Sequence, residues 1–524
     1  MTGDFDAIAI GSGLGGLTAA ALYARAGHRV LVIERNAEIG GAATTYQHGG
    51  LAIEASLHET AQPSTAGDPK ARILHALGIE DELEFVPVGP LYELRGRSFD
   101  PPFVLPTGFA DAQAALVERF PRHEKGFRRF FKRVDAVRSA MAVVAEQHDG
   151  LWWFLHGPTV PLTLWPLLRD MRRSLSEVFD DLFGGDELPK IALAANLGYY
   201  GDDPNRLWWV YYALGQGGYL SGGGAYIKGG SGRLSACLAA VVREEGGELL
   251  TRRTVTEILL DDDGRALGVA HTGLDGGDRA VEHAPVIFGN AAPQVLADAV
   301  PSEHRSAFEQ QFAGREPSTS LFSVAIGLDR PARELGIDHY STVLLPDWLE
   351  RLGDYSEFGG LPAGAPGARM PGLIVVSYDA IDSGLNQVGT HSISIAGIDR
   401  LTNWDGLGAD DYAAKREAWT TAIITQLDRF FPGFESAVVQ REMATAATMA
   451  RYLNTPGGAV YGFAQTPPHG VPTAGTPRGV HTTVPGLYLA STYGGFGGFS
   501  GAMFSGLLAA REAVRSQAPE HARL

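Results

Sequence analysis

The sequence predicts an α/β protein: a Rossmann-like dinucleotide-binding domain assembled from discontinuous segments, with an α+β domain inserted between them. Three observations lead to that class. A strand, a glycine turn, a helix and a second strand ending in an acid follow one another within residues 6–35. Strand–helix alternation then stops and returns twice, at 225–293 and at 476–524. The stretches between, 68–224 and 294–475, carry helices, aromatic clusters and mixed strands instead. The cofactor domain is therefore read as 1–67, 225–293 and 476–524, and the substrate domain as 68–224 (helical, aromatic-rich) and 294–475 (α+β).

Ala7, Ile8, Ala9 and Ile10 form a short apolar run, read as a buried parallel strand. Gly11, Gly13 and Gly16 follow with G-x-G-x-x-G spacing, enclosing Ser12, Leu14 and Gly15. Gly11 permits the tight turn, Gly13 lets the backbone approach a pyrophosphate, and Gly16 lets helix and strand pack closely. Leu17 to Ala26 reads as a helix stopped by Gly27, its N-terminus offering unpaired N–H groups and a positive dipole end. His28 to Ile33 is a second strand, and Glu34 at its end suits ribose hydroxyls. Among 67 glycines such spacings arise by chance. The strand before, the helix after and the acid at the right distance single this one out.

At 524 residues the chain exceeds one hydrophobic core. A net charge of −17 with no Lys/Arg cluster argues against nucleic acid and against purely electrostatic docking to anionic lipid. Cys237 is the single cysteine, which excludes a disulfide within the chain, a Cys-x-x-Cys pair and a thiolate metal site. Its apolar neighbours suggest a buried structural thiol. No His-Glu-x-x-His or close histidine pair suggests a metal. The first strand begins at once, so the expected compartment is the cytoplasm.

Ile39-Gly40-Gly41-Ala42 is a small-residue loop, and Leu51 to His58 alternates like a strand. Helices are expected over Phe109–Phe120 and Lys125–Glu146. Residues 151–168 are almost uncharged and hold Trp152, Trp153 and Trp165, but Pro158, Pro161 and Pro166 argue against a spanning helix. Two readings stay open there: a buried wall of the substrate domain, or an apolar surface dipping into a bilayer. The Tyr- and Trp-rich run 192–224 suits a pocket for a large apolar ligand, and core packing explains it nearly as well. Ser231 is read as the cap of a helix through Glu245. Strands are expected at Glu248–Arg252, Val255–Leu260, Ala266–Thr272, Val281–Phe288, Ser320–Leu328, Leu373–Tyr378 and His391–Ala396. A helix, Ala413–Arg429, precedes the final strand Gly486–Ser491 and a small-residue helix to about Ser516.

These motifs together resemble the FAD-dependent phytoene desaturase, carotenoid isomerase and retinol saturase superfamily, along the whole chain. The resemblance rests on Ile10 to Leu17 with Glu34-Arg35 and Gly40-Gly41-Ala42, and on Lys228 to Leu234 with Gly247-Glu248 and Val255. It rests also on Asn290-Ala-Ala-Pro293 and on Gly486-Leu-Tyr-Leu followed by the Tyr493 to Met503 turn. It implies FAD, with the pyrophosphate on the first glycines, the adenosine ribose on Glu34, and the adenine on the Val255 backbone. Gly495, Gly501, Ala502 and Met503 would lie by the flavin and its ribityl chain. Glu54-Ala-Ser-Leu-His58 stands where phytoene desaturases carry Asp-x-Gly-Pro-His, and Tyr452 to Gly462 looks like the retinol saturase segment. The closing turn departs from the His/Gln-Pro-Gly-Gly-Gly form of desaturases.

The implied reaction is hydride transfer between flavin N5 and a carbon of a lipophilic isoprenoid, carotenoid or retinoid-like chain, with desaturation, saturation and isomerisation all open. Candidate proton-transfer groups are His58, Glu59, Tyr461 and Tyr493, His58 first because its unperturbed pKa is close to 7. The alternatives are a hydrogen-bonding core or cofactor-positioning role for His58, orienting His58 or facing solvent for Glu59, shaping the pocket for Tyr461 and packing for Tyr493. Arg451 is a candidate for a substrate carboxylate, with a structural ion pair as the alternative. A flavin amine oxidase and a non-catalytic prenyl carrier of the GDP-dissociation-inhibitor type are the competing functions. No second G-x-G-x-x-G follows a strand, so the electron acceptor has no motif.

Overall fold

In a computed structural model of the chain, residues 5–145, 159–387, 389–468 and 479–517 are described. The first motif forms as read. Ala7–Ile10 lies at the centre of a five-stranded parallel sheet, flanked by Val30–Ile33 and Glu248–Leu250 on one side and by Val286–Gly289 and Leu487–Leu489 on the other. The strands are short and mostly apolar because both faces are covered, one by helices and the other by Ile258, Ala266 and Val269 of a small antiparallel sheet with Leu296 and Phe308. Leu14–Arg25 packs against the last helix, Gly498–Gln517, at glycine contacts. A Cβ on Gly506 would come 2.4 Å from the Gly15 carbonyl oxygen, and one on Gly15 would come 2.1 Å from that of Ala490. Gly15 is thus held to glycine by packing between the first and third segments.

Three antiparallel strands, Arg253–Leu260, Ala266–Gly273 and Ala280–His283, make a small satellite sheet. The expected strand Val281–Phe288 is two strands broken at Ala284-Pro285, one in each sheet. Proline removes a ladder donor where the chain changes sheet.

The segments read as a substrate domain are built on a seven-stranded sheet. Its order is Val438–Ala444, Ser320–Leu328, His391–Asp399, Leu373–Ser377, Ser341–Leu344, Tyr92–Gly96 and Phe99–Leu105. The segment expected to be helical, 68–224, therefore supplies two strands to the sheet of 294–475. Phe99-Asp-Pro-Pro-Phe hides its strand character behind two prolines, which the edge position tolerates. Residues alternate between two faces. Phe322, Val324, Ile326, Ile393 and Ile395 face a core with Trp419, Ile423 and Leu427 of helix Ala409–Phe430. Leu321, Ser323, Ser394, Ala396 and Ile398 take the opposite face, which bounds the site.

Two helices bear on the open readings. Glu124–Ala145 and Val160–Asp170 are joined by a buried bidentate pair, with Arg133 Nε and Nη2 donating to Asp170 at 2.7 and 2.6 Å. Pro161 sits in the first turn of the second helix, where no N–H partner is needed. Its outer side shows Leu162, Trp165 and Leu168, at 77%, 61% and 54% exposure, so this part is not a buried wall. Trp152 and Trp153 lie outside the described residues. Among the described residues no helix is long and apolar enough to cross a membrane. Cys237 is half-buried rather than buried, its thiol pushed up by desolvation and by Glu82.

Candidate functional site

The site is organised by the short segment that follows Leu51–Glu54, a strand that stops four residues before the expected His58. The Glu54 carboxylate ends it. Glu54 accepts from the Leu57 amide at 3.2 Å and turns the chain, and it accepts from Thr45 Oγ1 at 3.1 Å and Tyr226 OH at 3.2 Å. It also takes the Ser231 amide at 2.8 Å and the Ser231 hydroxyl. Ser231 is therefore no helix cap: helix Ser231–Glu244 begins after Gly230, and the Ser231 side chain is spent on Glu54. Burial raises the Glu54 pKa, and these hydrogen bonds oppose the rise.

Three tyrosines then hold three successive carbonyls. Tyr378 donates to Leu57 O at 2.9 Å, Tyr340 to His58 O, and Tyr219 to Glu59 O at 3.3 Å. The backbone from 54 to 59 is thus pinned from the sheet, from the aromatic helix Trp209–Gly222 and from Ser231. Ser56 Oγ donates to Ala42 O at 2.7 Å, tying this segment to the second glycine loop.

His58 is buried, with Nδ1 3.0 Å from Tyr199 OH and Nε2 3.4 Å from Ser394 Oγ, which is itself 3.2 Å from Ser323 Oγ. Desolvation lowers its pKa to about 4. The expectation of a base near 7 is corrected by that burial: His58 is neutral at neutral pH, one nitrogen donating and the other accepting. Glu59 behaves oppositely. Its Oε2 is buried without a partner, and a Cβ on facing Gly224 would lie 2.4 Å from it. Burial with no compensating cation raises its pKa to about 8. Glu59 is the group of this pair that holds a proton at pH 7.

Tyr461 joins this cluster. Its hydroxyl pKa is raised by burial and then by Tyr211, and it lies in the field of Tyr199 and Tyr219. Gly497 abuts it, since a Cβ there would lie 2.8 Å from Tyr461 O and 3.1 Å from Tyr211 OH. Tyr493 does not join. It packs edge-on to Phe463 at 4.9 Å beside Ala292, its hydroxyl unpartnered, in a separate small cluster. Arg451 is exposed, 5.7 Å over Tyr452, and does not line the cavity. Arg35 donates to the carbonyls of Arg451 and Tyr452 at 2.8 and 3.0 Å, so both arginines serve the outer edge of the fold.

Next to Tyr199 lies a narrow apolar cavity of about 20 Å³, lined by Tyr199, Leu321, Ile374, Ile398 and Phe358 among others. Most of the 192–224 aromatics do not reach it. Trp209 and Tyr212 are core, Tyr212 donating to Leu193 O at 2.7 Å.

The dinucleotide end fits what the glycine turn requires. Helix Leu14–Arg25 has no side-chain cap and no acid in its first turn, leaving its amides for an anion. Gly13 faces Gly41, and a Cβ on Gly13 would lie 2.6 Å from Asn290 Nδ2, so the cradle has no room for a side chain. Gly40 N donates to Ser12 O at 3.0 Å, joining the two loops. Glu34 Oε2 accepts from Ser12 N at 2.8 Å and Ser12 Oγ at 2.6 Å, and Oε1 from Asn36 N at 2.7 Å. Two carboxylate oxygens offer about four acceptor sites, so one remains for a hydroxyl. Arg253 N donates to Glu34 O at 2.9 Å, which brings half-buried Val255 to the same end. Gly501, Ala502 and Met503 are buried in the first turn of the last helix. There Ser500 meets a buried ion pair that sequence reasoning missed, Lys70 Nζ lying 2.7 Å from both Asp68 Oδ2 and Ser500 Oγ.

A divided dinucleotide-binding domain, together with a buried neutral histidine whose partner Tyr199 meets an apolar wall and a buried protonated carboxyl beside it, is the arrangement of a flavin-dependent oxidoreductase. Residues 14–514 match the family described as flavin containing amine oxidoreductase, and the chain belongs to it. It is similar to all-trans-retinol 13,14-reductase of Macaca fascicularis, 27% identical over 486 residues, covering 87% of this chain and 77% of that one. It is also similar to the chloroplastic prolycopene isomerase of Daucus carota, 23% identical over 540 residues, covering 98% and 82%. Among solved structures, cyclohexylamine oxidase from Brevibacterium oxydans IH-35A shares the fold, with TM-score 0.61, 17% identity, and 98% and 99% of the two chains covered.

Proposed function

We propose that the chain is an FAD-dependent oxidoreductase acting on a carbon–carbon bond of a lipophilic polyene of isoprenoid type. The apolar wall of Leu321, Ile374, Ile398 and Phe358 around Tyr199, which sits beside His58, carries this reading, because it offers a substrate no charged partner there. The similarity to a retinol reductase and a carotenoid isomerase supports it. An alkylammonium substrate would need an anion or an aromatic cage, and Glu59 is uncharged at neutral pH.

Bound FAD would be held by the Gly11–Gly16 turn, Gly40–Ala42, Glu34, Asn290, Val255 and the Gly495–Met503 turn, and supplies hydride transfer. The chain's own residues do the rest. Glu59 holds the proton that complements the hydride on the neighbouring carbon. Neutral His58 orients the Tyr199 hydroxyl, and Tyr461 and Tyr219 close the inner end against water. Saturation draws the proton from neutral Glu59, desaturation would deliver one to its ionised form, and isomerisation needs no net transfer. The test is anaerobic mixing of photoreduced and oxidised holoenzyme with all-trans-retinol, with a cis-carotene and with an amine panel. Loss or shift of the polyene absorption band is expected. Flavin reduction by amines alone, with polyenes unchanged, would overturn the assignment.

The exposed Leu162, Trp165 and Leu168 support the reading of a peripheral contact with a bilayer, from which such a substrate would be drawn. Wild-type protein is expected to float with phosphatidylcholine vesicles. The Leu162→Glu/Trp165→Glu variant is expected to stay in the soluble fraction with unchanged flavin content. Equal partitioning of the two proteins would remove the contact.

A further inference from the structure

One buried cation takes no part in the chemistry of His58 and Glu59. Lys70 opens helix Lys70–Leu77, and its side chain is fully buried, at 0% exposure against 6% for its partner Asp68. Three hydrogen bonds close a triangle. Lys70 Nζ donates to Asp68 Oδ2 and to Ser500 Oγ, and Ser500 Oγ donates to Asp68 Oδ2, each at 2.7 Å. The Lys70 amide donates to Asp68 Oδ1 at 2.8 Å. Ser500 belongs to the first turn of Gly498–Gln517, so the triangle joins residues 68–70 to the third cofactor segment.

The two charges are unevenly satisfied. Both Asp68 oxygens are taken by these donors. An ammonium has three N–H groups, and only two of those of Lys70 find an acceptor among the described residues. Desolvation pulls the Lys70 pKa down, and Asp68 pulls it up again. The unsatisfied end of the pair is therefore the cationic one, and it adds to the positive end of the helix that carries Ser500. Stability alone is a weak reason for such a pair, since apolar residues of similar volume often replace one without loss. The surroundings supply another. Gly501, next to Ser500, lies against the closing turn so tightly that a Cβ there would be 2.1 Å from Phe496 O. On the other flank is Tyr219, which holds Glu59 O. Burial raises the Tyr219 hydroxyl pKa first, and Asp68 is among the carboxylates that add to the rise. The pair thus stands between the closing turn and the segment that carries Glu59.

We propose that Lys70 is a positioning residue for the flavin: through Ser500 it fixes the Gly495–Met503 turn, and its charge, offset by Asp68, sets the reduction potential there. A flavin gains negative charge on its ring when reduced, so a buried cation favours the reduced form and a buried anion the oxidised form. This rests on the reading of that turn as the flavin contact, and deepens it by naming the charges behind it.

The experiment reads the FAD-loaded protein with no substrate present. Xanthine and xanthine oxidase slowly reduce wild type, Lys70→Met, Asp68→Asn and the double variant Asp68→Asn/Lys70→Met at neutral pH beside a reference dye. The ratio of reduced to oxidised flavin is compared at equal dye poise. Lys70→Met leaves the acid unopposed and is expected to lower that ratio about tenfold. Asp68→Asn leaves the cation unopposed and is expected to raise it about tenfold. For a two-electron couple that factor is about 30 mV. The double variant carries neither charge and should fall between the two single variants. A turn that is merely loosened would move both single variants the same way. That result, or ratios equal to wild type in FAD-loaded variants, would overturn the proposal. Should Lys70→Met not fold, the rise in Asp68→Asn and its reversal in the double variant decide the same question. Wild-type protein that takes up no FAD would overturn the flavin reading, and this proposal with it.

Discussion

Glu59→Gln is expected to lower polyene turnover by about 10²–10⁴-fold, the range of a lost general acid, with flavin content unchanged. Glutamine keeps the size that fits against Gly224 but has no carboxyl proton to give. The pH dependence follows from the sign of the shift. Desolvation raises the Glu59 pKa to about 8, so the acid is intact at neutral pH and is lost as pH rises through that value. Wild-type single-turnover reduction should therefore fall above about pH 8, and the variant's residual rate should be flat there. His58 contributes no titration between pH 6 and 9, because burial holds its pKa near 4. His58→Gln should lower the rate without moving the alkaline limb. A Glu59→Gln profile that still breaks at pH 8 would assign that proton elsewhere.

Glu54→Ala is expected to cost stability rather than chemistry alone. Removing the carboxylate leaves the Ser231 amide and hydroxyl and the Leu57 amide buried without an acceptor. Each such donor costs about 1–3 kcal/mol when orphaned, and with water entering part of the gap the expected loss is about 3–5 kcal/mol by the same measure. Urea titration of the holoenzyme, followed by far-ultraviolet dichroism, reads it directly. Turnover should fall as well, since Glu54 sets the turn that delivers His58 and Glu59. Glu54→Gln should recover only part of the stability, because its amide end presents donors to donors. A midpoint unchanged in the alanine variant would mean that the Glu54 network does not hold the segment.

How much of this was legible in the sequence depended on the distance over which each residue acts. The Gly11–Gly16 turn, Glu34 and the strand Ser320–Leu328 are local patterns, and the structure reproduces them. Phe99–Leu105 was hidden because its prolines read as loop until the edge position of the strand is known. Tyr340 and Tyr378 bind carbonyls 282 and 321 residues away, and nothing beside them in the chain marks that role. Tyr199 belongs to an aromatic-rich run, but only its 3.0 Å approach to His58 separates it from core neighbours such as Tyr212. Tyr493 misled for the reverse reason: it adjoins the closing glycine turn yet faces Phe463.

The sequence by itself determined the dinucleotide-binding architecture, because a tight turn, a close backbone approach and an acid at a strand end are demands that neighbouring residues meet alone. The tertiary structure decided the protonation of the adjacent pair. His58 and Glu59 are one bond apart in the chain, yet burial makes the first a neutral ring and the second a neutral acid. Desolvation depends on what closes over each side chain, and those walls come from Ser394, Tyr199 and Gly224, far along the chain.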